Sequence, residues 1–417
     1  MGFPLTSRGD MAILAPGMGG PLSSIQVVEV AIWLAAPAAA AILADWGARV
    51  IKVEPPTGDP MRQVYKTAFS SSAEENPFFE QANRGKWSVV LDLKHEKARD
   101  VMGRLLKGAD VFITNLRPRV LQRMGLSYDD VSALNPRLVY CQVTGYGRGH
   151  QEENRPAYDI GAVWARAGLA YMGSPPGAAP SQPPTGIGDN TTAMVVAGAV
   201  SAALLARERT GQGQYLHVSL LRVAAYMGNW DILRGARLGT SVRPQDRYHM
   251  RNPLANCYQA KDGKWFWLLL VEGDRHWPNL CRAIGREDLR DDPRFQTLEL
   301  RSRHAPELVA ELDQTFALKT REEWAEVFRA HDIWWEPVNS IDDLLADPLA
   351  RAAGVFVDVP TEDGALKPLV ASPADFGGTV INPGPAPQLG QHTEQVLLEL
   401  GYQPSEILAL RDEGAIL

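Results

Sequence analysis

Short apolar segments alternate with helix-like segments over the first 220 residues, and this alternation restricts the fold more than any other feature. The strand-like segments are Gln26–Ala31, Arg49–Val53, Ser88–Leu93, Asp110–Thr114, Arg137–Thr144 and Tyr215–Leu220. Helix-like segments lie between them, among them Pro37–Trp46 and the apolar stretch Thr192–Arg207. Parallel strands need crossovers of this length, and strands buried on both faces are continuous apolar runs. The pattern predicts an α/β fold with a Rossmann-like large domain built on a parallel sheet.

The pattern changes after about residue 240. The turn Lys261-Asp262-Gly263 leads into the apolar strand Lys264–Val271, which is typical of a hairpin. Helices follow, and one of them opens with the capping box Thr320–Glu323. We therefore predict a large domain formed by residues 1–225 and 340–417, and a smaller α+β domain at residues 245–335. Two linkers, at 226–244 and 336–339, connect them. Residues 1–23 are rich in glycine and proline, which predicts a loose arm.

Charge and cysteine content exclude several classes of protein. The net charge is −7, whereas a dedicated nucleic-acid binder normally carries a basic surplus. The three cysteines are sparse and odd in number, which favours a reducing compartment over a disulfide framework. The longest apolar run, Val30–Ala44, is shorter than the ~20 residues that cross a bilayer. We expect a cytoplasmic protein that binds neither nucleic acid nor membrane.

Several common catalytic motifs are missing from the sequence. The eight histidines lie at least 27 positions apart, so no histidine pair has the spacing of a metal site. The chain contains neither a P-loop nor a Gly-x-Ser-x-Gly elbow. The first strand–helix turn, Ile32–Pro37, lacks the glycines that bind a dinucleotide. We therefore expect no metal and no permanently bound cofactor.

A series of motifs runs along the chain in a fixed order. It comprises Leu43–Pro56 (LADWGARVIKVEPP) with Asp59 and Arg62, Asn83–Lys86, Leu91–Lys94, Asn115–Pro118, Thr144–Gly147, Ala157–Asp159, Gly188-Asp189 and Leu389–Thr393. As a series these motifs resemble the class III (CaiB/BaiF-type) CoA-transferase family, which includes formyl-CoA transferase and carnitine CoA-transferase. The resemblance covers residues 24–417. It implies that acyl-CoA thioesters and carboxylic acids are the substrates, and that two chains form an interlocked homodimer.

By this resemblance Asp189 is the catalytic carboxylate. The chemistry agrees, because a carboxylate that forms a mixed anhydride and then a thioester with CoA keeps the energy of the thioester from being lost to water. The glycines Gly186 and Gly188 beside it permit a ligand to approach the backbone closely. The alternative is that Asp189 is merely the N-cap of the helix that follows, since aspartate is common at that position.

The resemblance also assigns residues to CoA. They are Trp33, Leu34 and Ala35 near the pantetheine arm, Leu91 and Lys94 around the adenine and ribose, Asn115, Leu116 and Arg117 at the nucleotide, Arg123 at a phosphate, and Ala157, Tyr158 and Asp159 beside the reacting centre. The glycine-rich loop that covers the site in formyl-CoA transferase has no counterpart in Tyr248–Asn256. Trp33, Trp164 and Trp230 favour an acid that is larger and more apolar than oxalate or formate.

Two other functions remain open on the sequence alone. An acyl-CoA racemase or isomerase of the same fold needs a second acid–base group opposite the aspartate. The racemases carry a histidine at the position of Tyr158, and a phenol is a weaker base at neutral pH. A non-catalytic CoA-binding protein is the remaining alternative, against which the intact Gly188-Asp189 argues.

Overall fold

The computed structural model describes residues 19–68, 76–239, 246–360, 364–377 and 384–417. Most of the predicted N-terminal arm, residues 1–18, lies outside the described residues. The described chain divides into two compact units, one made of residues 19–170, 182–239 and 354–417, the other of 171–181 and 246–353. The predicted boundaries differ from this division, because residues 229–238 of the expected linker are helical and residues 340–353 belong to the second unit.

A parallel sheet of six strands forms the centre of the first unit. Its strands are β1 (Gln26–Val30), β2 (Arg49–Glu54), β3 (Trp87–Val90), β4 (Val111–Thr114), β5 (Val139–Thr144) and β6 (Tyr215–Ser219). Their spatial order is β3-β2-β1-β4-β5-β6, and every pairing is parallel. The predicted parallel α/β sheet is confirmed. This order reverses direction between β1 and β4, and open sheets of this kind bind ligands beyond the carboxyl ends of the strands at such a point.

Helices cover both faces of the sheet. They are α1 (Ala35–Asp45), α2 (Met61–Ala68), α3 (Pro77–Asn83), α4 (Glu96–Lys107), α5 (Pro118–Met124), α6 (Tyr128–Leu134), α7 (Leu169–Met172), α8 (Ile187–Thr210), α9 (Leu220–Met227) and α10 (Asn229–Leu238), with a π-helical segment at Ile160–Ala165. Apolar residues of α1, α8, α9 and the π-helical segment pack on one face of the sheet, and those of α4, α5 and α6 pack on the other. Both faces are therefore dry, as the continuous apolar strands require.

Helix α8 is the longest helix among the described residues and packs along α1. Alanine, valine and leucine dominate both helices, so their backbones approach closely at the shared apolar core. By length and composition, α8 is also the one described helix that meets the criterion for a membrane span.

The second unit has its own sheet and core. Its antiparallel strands, in the order β7-β8-β9, are β7 (Cys257–Gln259), β8 (Trp265–Leu268) and β9 (Trp335–Pro337). Its helices are α11 (Gly273–Ala283), α12 (Glu287–Asp291), α13 (Leu298–Arg303), α14 (Ala305–Phe316), α15 (Arg321–Ala330), α16 (Ile341–Ala346) and α17 (Pro348–Ala352), with a 3₁₀ turn at Arg247–His249. The hairpin predicted at 261–263 joins β7 to β8. The predicted capping box is also present, with Thr320 and Glu323 bonding each other's backbone at the start of α15.

The C-terminal segment returns to the first unit. It contains the hairpin β10 (Phe356–Pro360) and β11 (Leu366–Val370), followed by α18 (Thr393–Glu399) and α19 (Pro404–Asp412). Ahead of α18, the His392 N–H donates to the Ser88 carbonyl, and the Ser88 and Val90 N–H groups donate to the side chains of His392 and Thr393. The motif Leu389–Thr393 thus covers the outer edge of β3, which would otherwise expose unpaired backbone groups.

Candidate active site

A cleft of about 260 Å³ opens at the carboxyl edge of the sheet, where the strand order reverses. Residues 32–35, which follow β1, form one wall, and residues 115–118, which follow β4, form the next. The remaining walls come from Val143, Thr144 and Gly145 at the carboxyl end of β5, from Glu153 and residues 155–158, and from Asp189 and Leu220. The cleft therefore lies where a doubly wound sheet is expected to bind its ligand.

Asp189 reaches this cleft from the first turn of α8. The N-cap of α8 is Gly186, in a left-handed conformation with φ of +72°. The helix begins at Ile187 rather than at Thr192, so the alternative that Asp189 is the N-cap is wrong. The hydroxyls of Thr191 and Thr192 donate to carbonyls one turn back, which lets these polar residues lie inside the helix.

The two glycines beside Asp189 serve protein packing. A Cβ on Gly186 would lie 2.7 Å from Leu34 Cδ2, and a Cβ on Gly188 would lie 2.6 Å from Val163 Cγ2. The structure thus gives a different reason for these glycines from the ligand approach that we expected. They let the turn after β1 and the π-helical segment pack directly against the start of α8.

The carboxyl group of Asp189 is half-buried and has no hydrogen-bond or ion-pair partner among the described residues. Burial raises its pKa to about 7, with a further contribution from the negative charge of Asp159. Asp159 itself accepts the backbone N–H of Ile160 at 2.7 Å and caps the π-helical segment. Perturbed carboxylates of this kind, open to a cleft, are common at catalytic sites.

The turn after β1 is held in an unusual backbone conformation. Trp33 has φ of +67°, which is rare for a residue with a side chain and costs conformational energy. The carboxylate of Asp59 accepts the Trp33 N–H at 3.1 Å. Next to it, the Asn115 side chain accepts the Ile32 N–H at 3.0 Å and donates to the Ile32 carbonyl at 2.6 Å. Asn115 therefore uses its amide to position this turn, and its predicted contact with the nucleotide stays a prediction.

A buried cluster of ionic side chains holds Asp59, the residue that binds the N–H of Trp33 in this turn. Lys52 donates to Glu29 and Asp59, each at 2.8 Å, and Lys86 donates to Glu29 at 2.6 Å. Burial opposes the charge of Glu29, but the two lysines outweigh that effect and lower its pKa. The two lysines balance the two carboxylates, so the cluster is neutral overall. Lys52, Asp59 and Lys86, which belong to the first two motifs of the series, thus help to fix the backbone at Trp33.

A second ion pair extends this support. Arg62 donates to both carboxylate oxygens of Glu54, at 2.6 and 2.8 Å, and Glu54 also accepts from Ser88 and from the Asp59 N–H. Bidentate pairs of this kind fix geometry as well as charge. Asp59 is therefore held by two bonds, because its N–H donates to Glu54 and its carboxylate accepts from Lys52.

Most of the predicted CoA-binding residues line the cleft. They are Trp33, Leu34, Ala35, Asn115, Leu116, Arg117, Ala157 and Tyr158. The rings of Trp33 and Tyr158 meet edge to face, with centroids 5.9 Å apart. The sequence missed several others because they come from loops or from distant elements, namely Ile32, Pro118, Val143, Glu153, Arg155, Pro156 and Leu220. The position after a parallel strand is the signal that would have found Ile32 and Pro118.

Four predicted residues do not line the cleft: Leu91, Lys94, Arg123 and Asp159, the last of which acts on Asp189 only through its charge. The side chain of Leu91 is 1% exposed in the core behind β3, so it is not accessible to a ligand. Lys94 is exposed in the loop that follows, where the Asp92 N–H donates to the Ala415 carbonyl of the C-terminal segment. Arg123 is exposed in the last turn of α5. The roles of Lys94 and Arg123 stay predictions.

Among the residues that the structure describes, no group of three metal-ligating side chains comes together. The polar groups that line the cleft include the carboxylate of Asp189 in the first turn of α8 and side chains from the loops. Such a set suits nucleophilic attack by the carboxylate on an acyl carbon, with first-turn amides near the developing negative charge.

Comparison with known proteins gives a consistent result. The model of CoA-transferase family III matches residues 22–393. The (R)-2-hydroxy-4-methylpentanoate CoA-transferase of Clostridioides difficile is 33% identical over 397 residues, covering 95% of this chain and 99% of the relative. The succinate–glutarate CoA-transferase of Agrobacterium fabrum is 34% identical over 395 residues, covering 92% and 97%. A CaiB/BaiF family protein from Brucella suis superimposes with a TM-score of 0.79 at 28% identity, covering 92% of this chain and all of that one.

Proposed function

The chain belongs to CoA-transferase family III and is a CoA-transferase; from this premise we propose that Asp189 carries the acyl group and then CoA as covalent intermediates. The observation that carries the proposal is the position of Asp189. Its carboxyl group faces a cleft at the switch point of the sheet, lies in the first turn of α8, and has no partner among the described residues.

The reaction proceeds in four substitutions at acyl carbons. The Asp189 carboxylate attacks the thioester carbon of the donor, the C–S bond breaks, and CoA leaves as thiolate from a mixed anhydride. The thiolate then attacks the aspartyl carbon, which releases the donor acid and leaves an aspartyl-CoA thioester. The acceptor carboxylate reverses the sequence, first displacing CoA to form a new anhydride and then receiving CoA at its own acyl carbon. Asp189 returns to a carboxylate, and no proton or electron is consumed overall.

The described residues supply three requirements of this chemistry. The partial positive charge of the α8 start stabilises the carboxylate and the oxyanion formed on its carbon. Partial burial leaves the carboxylate poorly solvated, as its raised pKa reflects, and thus more nucleophilic. The walls formed by Trp33, Leu34 and Tyr158 limit access of water to the intermediates.

Cationic side chains near the cleft are candidates for the CoA phosphates. Arg117 and Arg155 line the cleft, and both are exposed. Lys94 and Arg123 are exposed after β3 and β4, beyond the same edge of the sheet. Charge-assisted bonds from arginine to phosphate are among the stronger polar contacts in proteins. We assign these four residues to the nucleotide end of CoA.

We also propose that the enzyme is a homodimer, interlocked as the family resemblance implies. Helices α9 and α10 expose several large apolar side chains in a short stretch of chain, namely Tyr226, Met227, Trp230, Leu233 and Leu238. Trp230 is 85% exposed in the single chain. Contiguous apolar surface of this kind commonly marks a protein–protein interface.

A direct transfer assay tests the proposed activity. The protein is incubated with an acyl-CoA and a ¹³C-labelled free acid, and the CoA thioester of the labelled acid is measured by mass spectrometry. We expect transfer with the wild type and a loss of roughly 10³-fold or more with Asp189→Asn, since the amide is not a nucleophile. Asp129→Asn, an exposed change in α6, is the matched control. Retention of more than a few per cent of the rate by Asp189→Asn would exclude Asp189 as the nucleophile.

A further inference from the structure

The wall of the cleft around Asp189 is largely apolar. Hydrocarbon or aromatic side chains come from both sides of the switch point and from β5 and α9, namely Ile32, Trp33, Leu34, Ala35, Val143, Ala157, Tyr158 and Leu220. Of the three tryptophans that the sequence suggested for the acyl group, only Trp33 lines the cleft; Trp164 lies in the π-helical segment and Trp230 in α10. Trp33 is therefore the largest side chain available to contact an acyl group.

Trp33 is also rigidly placed. Its left-handed backbone is fixed by the bond from its N–H to Asp59, which is itself held by Lys52. Its indole meets the ring of Tyr158 at an interplanar angle of 81°, the edge-to-face geometry that aromatic pairs favour. Strained backbone that the surroundings hold in place is typical of binding and catalytic sites. The pair thus offers a preformed aromatic surface to a substrate.

The carboxylates near Asp189 are negatively charged, whereas the second carboxylate of a dicarboxylic acid needs a positively charged partner. The neighbouring charge that acts on Asp189 is the carboxylate of Asp159, and Glu153 also lines the cleft. In the described part of the chain, no cationic side chain forms an ion pair with Asp189 or Asp159. The two cleft arginines are exposed, and Arg155 is bonded to Glu152 at 2.7 Å. A second carboxylate brought beside the apolar wall and Asp159 would lose its hydration near a like charge, and the two cleft arginines are those that we assign to the CoA phosphates.

We propose, on the basis of the CoA transfer proposed above, that the preferred substrates are monocarboxylic acids with a neutral, branched or aromatic side chain, and that Trp33 is the residue that selects them. An apolar side chain gains contact with the Trp33–Tyr158 surface, whereas the distal carboxylate of a dicarboxylic acid meets an apolar wall and two acidic side chains. The selection is made on the acyl group, because the CoA portion is common to all donors.

The test compares CoA donors with one acceptor. We expect kcat/KM for 4-methylpentanoyl-CoA and 3-phenylpropanoyl-CoA to exceed that for succinyl-CoA and glutaryl-CoA by at least about tenfold, the range that pocket contacts commonly provide. Trp33→Ala should lower kcat/KM for 3-phenylpropanoyl-CoA by roughly 10- to 100-fold more than it lowers kcat/KM for acetyl-CoA. Trp33→Phe keeps an aromatic surface and should retain the preference.

Trp267→Ala in β8 is the control for removal of a partly exposed tryptophan outside the cleft, and it should leave the donor preference unchanged. Equal or faster use of succinyl-CoA by the wild type would overturn the substrate class while leaving CoA transfer in place. An equal loss by Trp33→Ala with every donor would show that Trp33 does not select the acyl group. Failure of all donors with the wild type would instead overturn the proposed function, and this inference with it.

Discussion

At the scale of single residues, the role that we propose for Asp189 makes activity depend on the protonation of its carboxyl group. Burial and the charge of Asp159 favour the neutral acid, whereas the start of α8 favours the carboxylate. The pKa of about 7 that results leaves Asp189 partly protonated at neutral pH. Ordinary aspartates are fully ionised there. With Asp189 as the proposed nucleophile, the activity of the free enzyme should therefore depend on pH in a range where most carboxylates do not titrate.

We therefore expect kcat/KM to rise with pH through a midpoint near 7, because only the ionised Asp189 attacks the thioester. Asp159→Asn removes the neighbouring negative charge. Its removal stabilises the carboxylate of Asp189, lowers the pKa of that group and moves the midpoint to lower pH. The amide oxygen of the new residue still accepts the Ile160 N–H, so the cap is retained. A pH–rate profile of both proteins, with Asp129→Asn as control, measures the shift. An unchanged midpoint would show that Asp159 does not act on Asp189.

The buried ionic cluster gives a second prediction at this scale. Glu29→Gln leaves Lys52 and Lys86 with one carboxylate between them, and an uncompensated buried charge costs about 3–5 kcal/mol. The partly exposed pair Arg49–Glu399 provides the control, since Glu399→Gln should change stability by less than about 1 kcal/mol. Urea denaturation measures both values. Similar, small losses in the two variants would mean that the cluster does not stabilise the turn at Trp33.

At the scale of helices and strands, the start of α8 depends on a close contact with the turn after β1. Gly186→Ala adds a methyl group 2.7 Å from Leu34 Cδ2 at a position with positive φ, so the backbone is strained and Leu34 or the helix start must shift. We expect a loss of stability of about 1–3 kcal/mol and a loss of transfer activity. Gly198→Ala lies on the same helix, where a Cβ meets nothing within 4 Å, and should stabilise it by about 0.5–1 kcal/mol. Thermal unfolding and the transfer assay check both variants, and equal effects would contradict the account.

The strands of the first unit could be predicted because each is a short, mostly apolar run between helix-like segments, a pattern that local sequence alone produces. The early start of α8 could not be predicted, since Gly188, Asn190 and Thr191 are weak helix formers. Their helical state depends on a hydroxyl bond within the helix and on packing against Leu34 and Val163. The same limit applies to the cleft. The ends of β1 and β4 indicated where it lies, but the use of Asn115 to position Ile32 is a contact across 83 residues that no local pattern encodes.

At the scale of the whole molecule, the exposed apolar residues of α9 and α10 are the basis of the dimer that we propose. We expect light scattering after size-exclusion chromatography to give about twice the chain mass of 45.7 kDa. An interlocked pair cannot separate without unfolding, so the dimer should persist on dilution to nanomolar concentration, as mass photometry can measure. A fully active monomer at that concentration would contradict the proposed assembly.

The account as a whole depends on a covalent bond to Asp189, and trapping that bond tests it most directly. The protein is incubated with 4-methylpentanoyl-CoA in deuterated water, quenched with hydroxylamine, digested and analysed by mass spectrometry. We predict a hydroxamate on the peptide that contains Asp189, its absence in Asp189→Asn, and no deuterium at the α-carbon of the recovered thioester. Deuterium uptake at that carbon without any modified Asp189 peptide would contradict the account and identify the enzyme as a racemase or isomerase.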